Sequence, residues 1–371
     1  MTESPQITIP TGLLPHDGRF GSGPSRVDPS FVSSLSATGT SFLGTSHRRP
    51  AVRSLVASIR EGIADMYGLP DGHEIVLGLG GATAFWDAAI LGLITSRSAH
   101  FVCGEFSHKF ASSTAAAPHL DDPVVISADY GDAPTPREIP GADTTAFIHN
   151  ETSTGVMAPF ARFGTELVTV DGTSAAGAIA FDVASVDAYY FSPQKALGSE
   201  GGLWIAVMSP AAIERIESIA ATSRWIPSFL SLETALDNSR KSQTYNTPAL
   251  ATLYLLVRQI EMVNSRGGIT WAAEMCQNTS SHLYAWAEES RFCEPFVQTA
   301  ALRSPTVVTI DLDSSVSADT LSGILRNNGI VDTESYRKLG RNQLRIATFP
   351  NVALADIQAL TASIDYVVGQ L

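Results

Sequence analysis

The sequence predicts an α/β sandwich with a mainly parallel sheet, followed by a smaller α+β domain at the C-terminus. Three observations predict it. Short apolar runs alternate with helix-period segments up to Met208, the pattern of strand–helix crossovers. Several of these runs stop at turn-forming residues, and open α/β sheets gather their ligand-binding groups at such strand ends. After Gly267-Gly268 the pattern changes to a helix, a strand, a helix, a short strand and a final helix. With 371 residues, 44% of them hydrophobic and 16% charged, the chain can fill one large core and one small one. We expect a tail over 1–15, a large domain over 16–266 and a small domain over 267–371.

The first residues, Met1 to Pro10, are polar and lack the basic and apolar regions of a signal peptide. Phe20-Gly21-Ser22-Gly23-Pro24-Ser25 reads as a turn-rich loop. Gly44-Thr45-Ser46-His47-Arg48-Arg49-Pro50 is a basic loop before a helix. That helix carries Val52, Leu55, Val56, Ile59, Ile63 and Met66 at helical spacing, and Gly68 with Pro70 ends it. Glu74-Ile75-Val76-Leu77 is a strand that runs into Gly78-Leu79-Gly80-Gly81-Ala82-Thr83 and then a helix through Trp86, Ile90 and Leu93. A strand, a glycine turn and a helix make a general phosphate cradle, because backbone N–H groups and the helix dipole face the anion. The glycines do not match the dinucleotide fingerprint, since Thr83 takes its last position. A plain tight βα turn is the other reading of these residues.

His100-Phe101-Val102-Cys103, Val124-Val125-Ile126-Ser127 and Thr145-Ala146-Phe147-Ile148 continue the strands. Phe106 leads the helix after the first of them, either as a core aromatic or as a ring that stacks on a ligand. The third ends in the polar loop His149-Asn150-Glu151-Thr152-Ser153-Thr154-Gly155. Glu166 to Val170 is a further apolar strand, ending at Asp171-Gly172-Thr173-Ser174. The aromatic run Tyr189-Tyr190-Phe191 reads as a buried strand that must stop at Pro193, and Gln194-Lys195 follows. Alone, Lys195 could be a surface lysine and Asp171 a turn or N-cap residue. Together they say more, because two strands deliver an aspartate and a lysine to one sheet edge. Apolar surroundings lower a lysine's pKa, and a neutral amine forms a Schiff base. A Schiff-base lysine with an aspartate for a ring nitrogen is what pyridoxal phosphate demands.

Leu203 to Met208 is a strong strand. Ser242-Gln243-Thr244-Tyr245-Asn246-Thr247-Pro248 is a polar loop before a long helix with Leu253, Leu256 and Ile260. In the last part, Val307 to Leu312 is a strand and Ser317 to Leu325 a helix. The formal charge of −13 gives no general attraction to nucleic acid or anionic membrane. An anionic substrate therefore needs a local basic cluster. Cys103, Cys276 and Cys293 are scattered without metal-ligand spacing, so we expect reduced thiols, a cytoplasmic protein and no metal. No apolar run is long enough to span a bilayer.

Taken together, Thr45-Ser46-His47-Arg48, Gly80-Gly81-Ala82-Thr83, Asn150-Glu151-Thr152, Asp171, Pro193-Gln194-Lys195, Tyr245-Asn246-Thr247-Pro248 and Asn342-Gln343-Leu344-Arg345 form a specific set. Through them the chain resembles the phosphoserine aminotransferases, and their actinobacterial branch in particular. These are class V, fold-type I enzymes that depend on pyridoxal phosphate. The likeness runs from about Phe20 to the C-terminus. It implies a three-layer sandwich and transfer of an amino group between L-glutamate and 3-phosphohydroxypyruvate. It also implies roles. Lys195 would hold the cofactor and shuttle the proton, and Asp171 would bind the ring nitrogen. Phe106 would stack on the ring and Thr152 would bond its hydroxyl. Ala82, Thr83 and Gln194 would hold the cofactor phosphate, joined by Asn246 and Thr247 from a partner subunit, which implies a homodimer with shared sites. Arg345 would clamp the substrate α-carboxylate, and Arg48 with His47 the distal anion.

Two departures bear on the phosphate of the substrate. Some relatives carry an arginine where Thr83 stands. Some have a Gly-His-Arg segment where this chain has Tyr336-Arg337-Lys338-Leu339-Gly340-Arg341. Arg49 and Arg341 are candidate replacements. The rival readings are another class V transaminase, of the alanine–glyoxylate or serine–pyruvate type, or a cysteine desulfurase. Outside that class stand a cofactor-binding protein without catalysis and a nucleotide-binding dehydrogenase.

Overall fold

The computed structural model describes residues 6–371. Its elements follow the expected alternation. Helices α1 (Pro29–Ala37) and α2 (Pro50–Tyr67) come first. Gly68, in the left-handed region at φ +58°, ends α2. Then follow β1 (Glu74–Leu79), α3 (Gly81–Gly92), β2 (Ser98–Val102), α4 (Glu105–Ala115), β3 (Val124–Ser127) and β4 (Thr144–Ile148). A short hairpin of β5 (Asn150–Glu151) and β6 (Val156–Met157) leads to β7 (Leu167–Asp171), β8 (Ala188–Phe191) and β9 (Leu203–Met208). Helices α5 (Pro210–Ala220), α6 (Leu232–Arg240) and α7 (Leu250–Ser265) complete this part. Ser209 caps α5 by accepting from the Ala212 N–H, with Pro210 at the first helical position.

The main sheet has the order β1-β9-β8-β7-β4-β2-β3. β8, β7, β4, β2 and β3 pair in parallel, whereas β9 is antiparallel to both β1 and β8. Side chains alternate across it with the period of two that a strand imposes. Tyr189, Phe191, Leu203 and Ile205 pack on one face with α2 and α7, through Val56, Ile59, Leu253 and Ile260. Ala188, Tyr190, Trp204 and Ala206 pack on the other, with Phe85, Trp86 and Ile90 of α3 and Ile213 of α5. The result is three layers. β7 and β8 are neighbours in the middle of the sheet and are buried throughout, so the residues just past their ends are held on a rigid edge.

The C-terminal part has its own core. Helix α8 (Gly268–Glu289) is followed by β10 (Cys293–Pro295), β11 (Val307–Leu312), α9 (Ala318–Asn327), β12 (Gln343–Ala347) and α10 (Leu354–Val368). The three strands pair antiparallel, in the order β10-β11-β12. Val308, Ile310, Leu344 and Ile346 pack there against Leu321, Ile324, Ile357 and Leu360.

One expectation needs correction. The stretch 1–15 was expected as a tail; residues 1–5 lie outside the described residues, but the remainder is anchored. Ile9 is buried in the C-terminal core together with Phe20, and its N–H donates to Asn328 Oδ1 at 2.9 Å. Thr11–Leu13 forms a single 3₁₀ turn. Burial of Ile9 and a hydrogen bond across the chain outweigh the polar, proline-containing composition of this stretch.

Candidate active site

Asp171 is the last residue of β7, and Lys195 stands four residues beyond the end of β8. Both line one cavity of about 360 Å³. Lys195 is only 7% exposed. Its Nζ donates to Thr152 Oγ1 at 2.6 Å and lies 5.3 Å from the centre of the Phe106 ring. Burial pulls the amine pKa down to about 7, helped by the nearby Arg345 charge and opposed by Asp171 and Glu151. A large share of these amines is therefore neutral near pH 7. Asp171 is buried, which raises its carboxyl pKa, and Thr173 opposes that rise. The Thr173 N–H donates to its Oδ1 at 2.8 Å.

The glycine turn forms another wall. Gly80 and Gly81 have φ of +103° and +74°, a region that costs other residues strain. A Cβ on Gly80 would also meet Ala84 Cβ at 2.6 Å. This bend points the N-terminus of α3 at the cavity, and no side chain caps it. Ala82, Thr83 and Gln194 line the cavity there too. Gln194 Oε1 is buried without a partner among the described residues, so the amide is free to turn its NH₂ toward a ligand. The cavity thus offers an amine, a carboxylate, a free helix N-terminus and an aromatic face. Those four groups fit the aldehyde, ring nitrogen, phosphate and ring face of pyridoxal phosphate.

Arg345 reaches the site from β12. Its Nη1 donates to the Thr152 carbonyl at 3.2 Å, while its Nε is buried without a partner. The guanidinium lies 5.3 Å from the Tyr336 ring centre, and that ring is 5.9 Å from Phe106. A cation with unsatisfied donors beside the lysine is suited to a carboxylate.

The other expected site residues lie elsewhere. None of His47, Arg48, Asn246 and Thr247 lines this cavity. They gather between the loops before α2 and before α7. Thr247 Oγ1 and His47 Nδ1 are 3.0 Å apart, and Arg48 Nη1 donates to Gln243 Oε1 at 2.8 Å. Arg48, Asn246 and Thr247 are exposed. Burial and then the Arg48 charge hold the His47 pKa below its ordinary value, and its Nε2 has no partner. Arg49 is exposed at the start of α2. Arg341 pairs with Asp311 and lies 4.4 Å from the Phe296 ring centre, so it is already engaged.

Sequence reasoning missed Tyr336, Thr173 and Asn150 as site residues. The last two line the cavity, and each stands within two residues of a residue that was singled out. Tyr336 carried only the signal of an aromatic inside a basic segment.

Comparison with known proteins agrees with this geometry. The model of the family described as aminotransferase class-V matches residues 28–333. A phosphoserine aminotransferase of Rhodococcus jostii (strain RHA1) is 54% identical, covering 100% of both chains. A putative phosphoserine aminotransferase of Mycobacterium leprae is 52% identical over 99% of each. Among solved structures, a phosphoserine aminotransferase from Cytophaga hutchinsonii superposes with a TM-score of 0.87 at 22% identity, over 95% of this chain and 100% of that one. One from Bacillus circulans subsp. alkalophilus gives 0.82 at 20% identity, over 96% and 99%. At those identities the structures speak for the fold, while the family match and the close relatives speak for descent. With its lysine, aspartate and helix N-terminus around one cavity, this chain belongs to the aminotransferase class-V family.

Proposed function

We propose that the protein is a phosphoserine aminotransferase. It moves the amino group of L-glutamate to 3-phosphohydroxypyruvate, giving O-phospho-L-serine and 2-oxoglutarate, with pyridoxal 5'-phosphate as cofactor. The observation that carries this reading is the shared cavity of Lys195 and Asp171 with Arg345 beside it. The phosphorylated substrate is supported by the names of relatives more than half identical over the whole chain.

When bound, the cofactor supplies a carbonyl that reacts with amines and a ring that takes up an electron pair. The rest falls to the chain. Lys195 holds the cofactor and, once displaced, takes the proton from the substrate Cα; an amine with a pKa of about 7 can both accept and return it near neutral pH. Thr152 accepts from Nζ at 2.6 Å and fixes its direction. Asp171 holds a proton at the ring-nitrogen end. Ala82, Thr83 and Gln194, with the α3 N-terminus, hold the phosphate. Phe106 covers a ring face and excludes water. Arg345 forks onto the α-carboxylate of either substrate.

We further propose a homodimer in which His47, Arg48, Asn246 and Thr247 serve the neighbouring subunit's cavity. Their position outside their own cavity and their exposure support this. Arg48 with His47 then takes the distal anion, a carboxylate in one half-reaction and a phosphate in the other. Arg49 is the remaining candidate for the phosphate, since Arg341 is paired. We divide the chain at Gly267, where α8 begins and the second core takes over, into a cofactor-holding domain and a small domain. Serine biosynthesis is the proposed pathway, and pyridoxine biosynthesis, through 4-phosphohydroxythreonine, a second use. The cytoplasm is the proposed location; all three cysteines are free thiols, and no helix of the described residues is long and apolar enough to cross a membrane.

The test is a divided reaction. Glutamate alone should bleach the absorbance of the lysine-bound cofactor, and 3-phosphohydroxypyruvate should restore it. Restoration by unphosphorylated oxo acids at equal rates would contradict the substrate assignment.

A further inference from the structure

Glu151 belongs to a motif that gave a role only to its neighbour Thr152. Its side chain is fully buried at 0% exposure, and five donors converge on it. Oε1 accepts from the Phe106 N–H at 3.3 Å, the Ser153 N–H at 3.2 Å and the Ser153 hydroxyl at 2.6 Å. Oε2 accepts from the Ser107 N–H and the Ser107 hydroxyl, each at 3.0 Å. Ser153 Oγ in turn accepts from the Glu105 N–H at 3.0 Å. The first three N–H groups of α4 are thus satisfied by Glu151 of β5 and by Ser153 in the loop after it. A helix leaves such groups orphaned, and the residue just before it commonly caps them. Here that residue is Gly104, which has no side chain to offer. A Cβ at Gly104 would sit 2.4 Å from Glu151 Cγ, so glycine there is what admits the carboxylate.

The chain keeps a buried carboxylate where a local serine or threonine would cap a helix at less desolvation cost. The reason lies in what the two ends of the contact carry. Phe106 is the second residue of α4, and its ring faces the Lys195 amine. Thr152, next to Glu151, accepts from that amine. We infer that Glu151 is a positioning residue that locks the Phe106 ring face and the Thr152 hydroxyl into one rigid unit around the cofactor. The carboxylate is needed because it only accepts; an amide would turn one of its two acceptor oxygens into a donor aimed at N–H groups. The inference rests on the reading of Phe106 as the stacking residue.

The test is a double-mutant cycle on cofactor affinity, read by absorbance as stripped protein rebinds pyridoxal phosphate. Glu151→Gln and Phe106→Leu should each weaken binding by about 3- to 10-fold, the scale of an aromatic stack. On the Phe106→Leu background, Glu151→Gln should cost clearly less than on the wild-type background, because the ring it positions is gone while Thr152 and the N–H of residue 106 remain. Equal weakening on both backgrounds, or wild-type affinity in Glu151→Gln, overturns the inference while leaving Phe106 in its role. Wild-type affinity in Phe106→Leu overturns that role, and the inference with it. Should Glu151→Gln fail to fold, Ser153→Ala removes one donor from the carboxylate and carries the same test. Its loss of about two- to threefold should also shrink on the Phe106→Leu background.

Discussion

The cavity at the ends of β7 and β8 and the cluster formed by the loops before α2 and α7 differ in how complete they are. In the cavity, Lys195, Asp171 and Thr152 are buried, Lys195 donates to Thr152, and Asp171 accepts from the Thr173 N–H. In the cluster, the Arg48 side chain donates to the amide of Gln243, Thr247 Oγ1 lies 3.0 Å from His47 Nδ1, and Arg48, Asn246 and Thr247 are exposed. The first region is held by the middle strands of a buried sheet, so its geometry is set by one chain's folding. The second is built of loops that carry these exposed side chains. Under the function proposed above, chemistry and anion selection are placed on scaffolds of different rigidity.

The largest effects should come from damage to the cavity. Lys195→Ala should lower turnover by about 10⁴-fold or more, because both the attachment point and the proton carrier go. Far-ultraviolet circular dichroism should show the fold unchanged. Substantial turnover in this variant would remove the cavity from the reaction. Asp171→Asn keeps the shape but not the charge. We expect about 10²- to 10⁴-fold slower turnover, with the cofactor still bound. Arg345→Gln should act on substrate, raising the KM for glutamate by about 10- to 100-fold, the scale of a charge-assisted pair. In the outer cluster, Arg48→Ala should raise the KM for 3-phosphohydroxypyruvate by about tenfold and leave the cofactor spectrum alone. A change in that spectrum would mean the two regions are not separable.

The smallest effect is on stability. Lys195 has a folded-state pKa of about 7 against an ordinary 10.5. Between those values the unfolded chain binds more protons, so stability rises with pH across this window and is lost as pH falls toward 7. Denaturant titrations of cofactor-free protein at pH 7.5 and 9.5 should show this rise, and Lys195→Met should flatten it.

Most of the cavity was legible in the sequence because its residues lie directly after apolar strands. Asp171 closes one such run, Lys195 follows another, and the glycine turn after β1 announces a helix N-terminus. Short continuous apolar runs also separated strands from helices, because strands buried on both faces need no alternation. The antiparallel course of β9 was not legible, since an apolar run such as Leu203–Met208 carries no sign of its direction. Nor was the anchoring of Ile9, which depends on a core built about 300 residues later. Tyr336 and Glu151 were hidden for a related reason. Each acts across the chain, Tyr336 beside Phe106 and Glu151 on α4, and no local pattern records such a contact.

In the proposed dimer, one working site takes its lysine from one subunit and its outer clamp from another. Hybrid dimers test it directly. One subunit would carry Lys195→Ala, the other Arg48→Ala with Asn246→Ala, each with its own affinity tag. If the clamp crosses between subunits, every hybrid contains one fully intact site, and the purified hybrid should show about half of wild-type turnover. If the clamp serves its own chain's cavity, no hybrid site is intact. Turnover no higher than that of the two parent variants would then contradict the account.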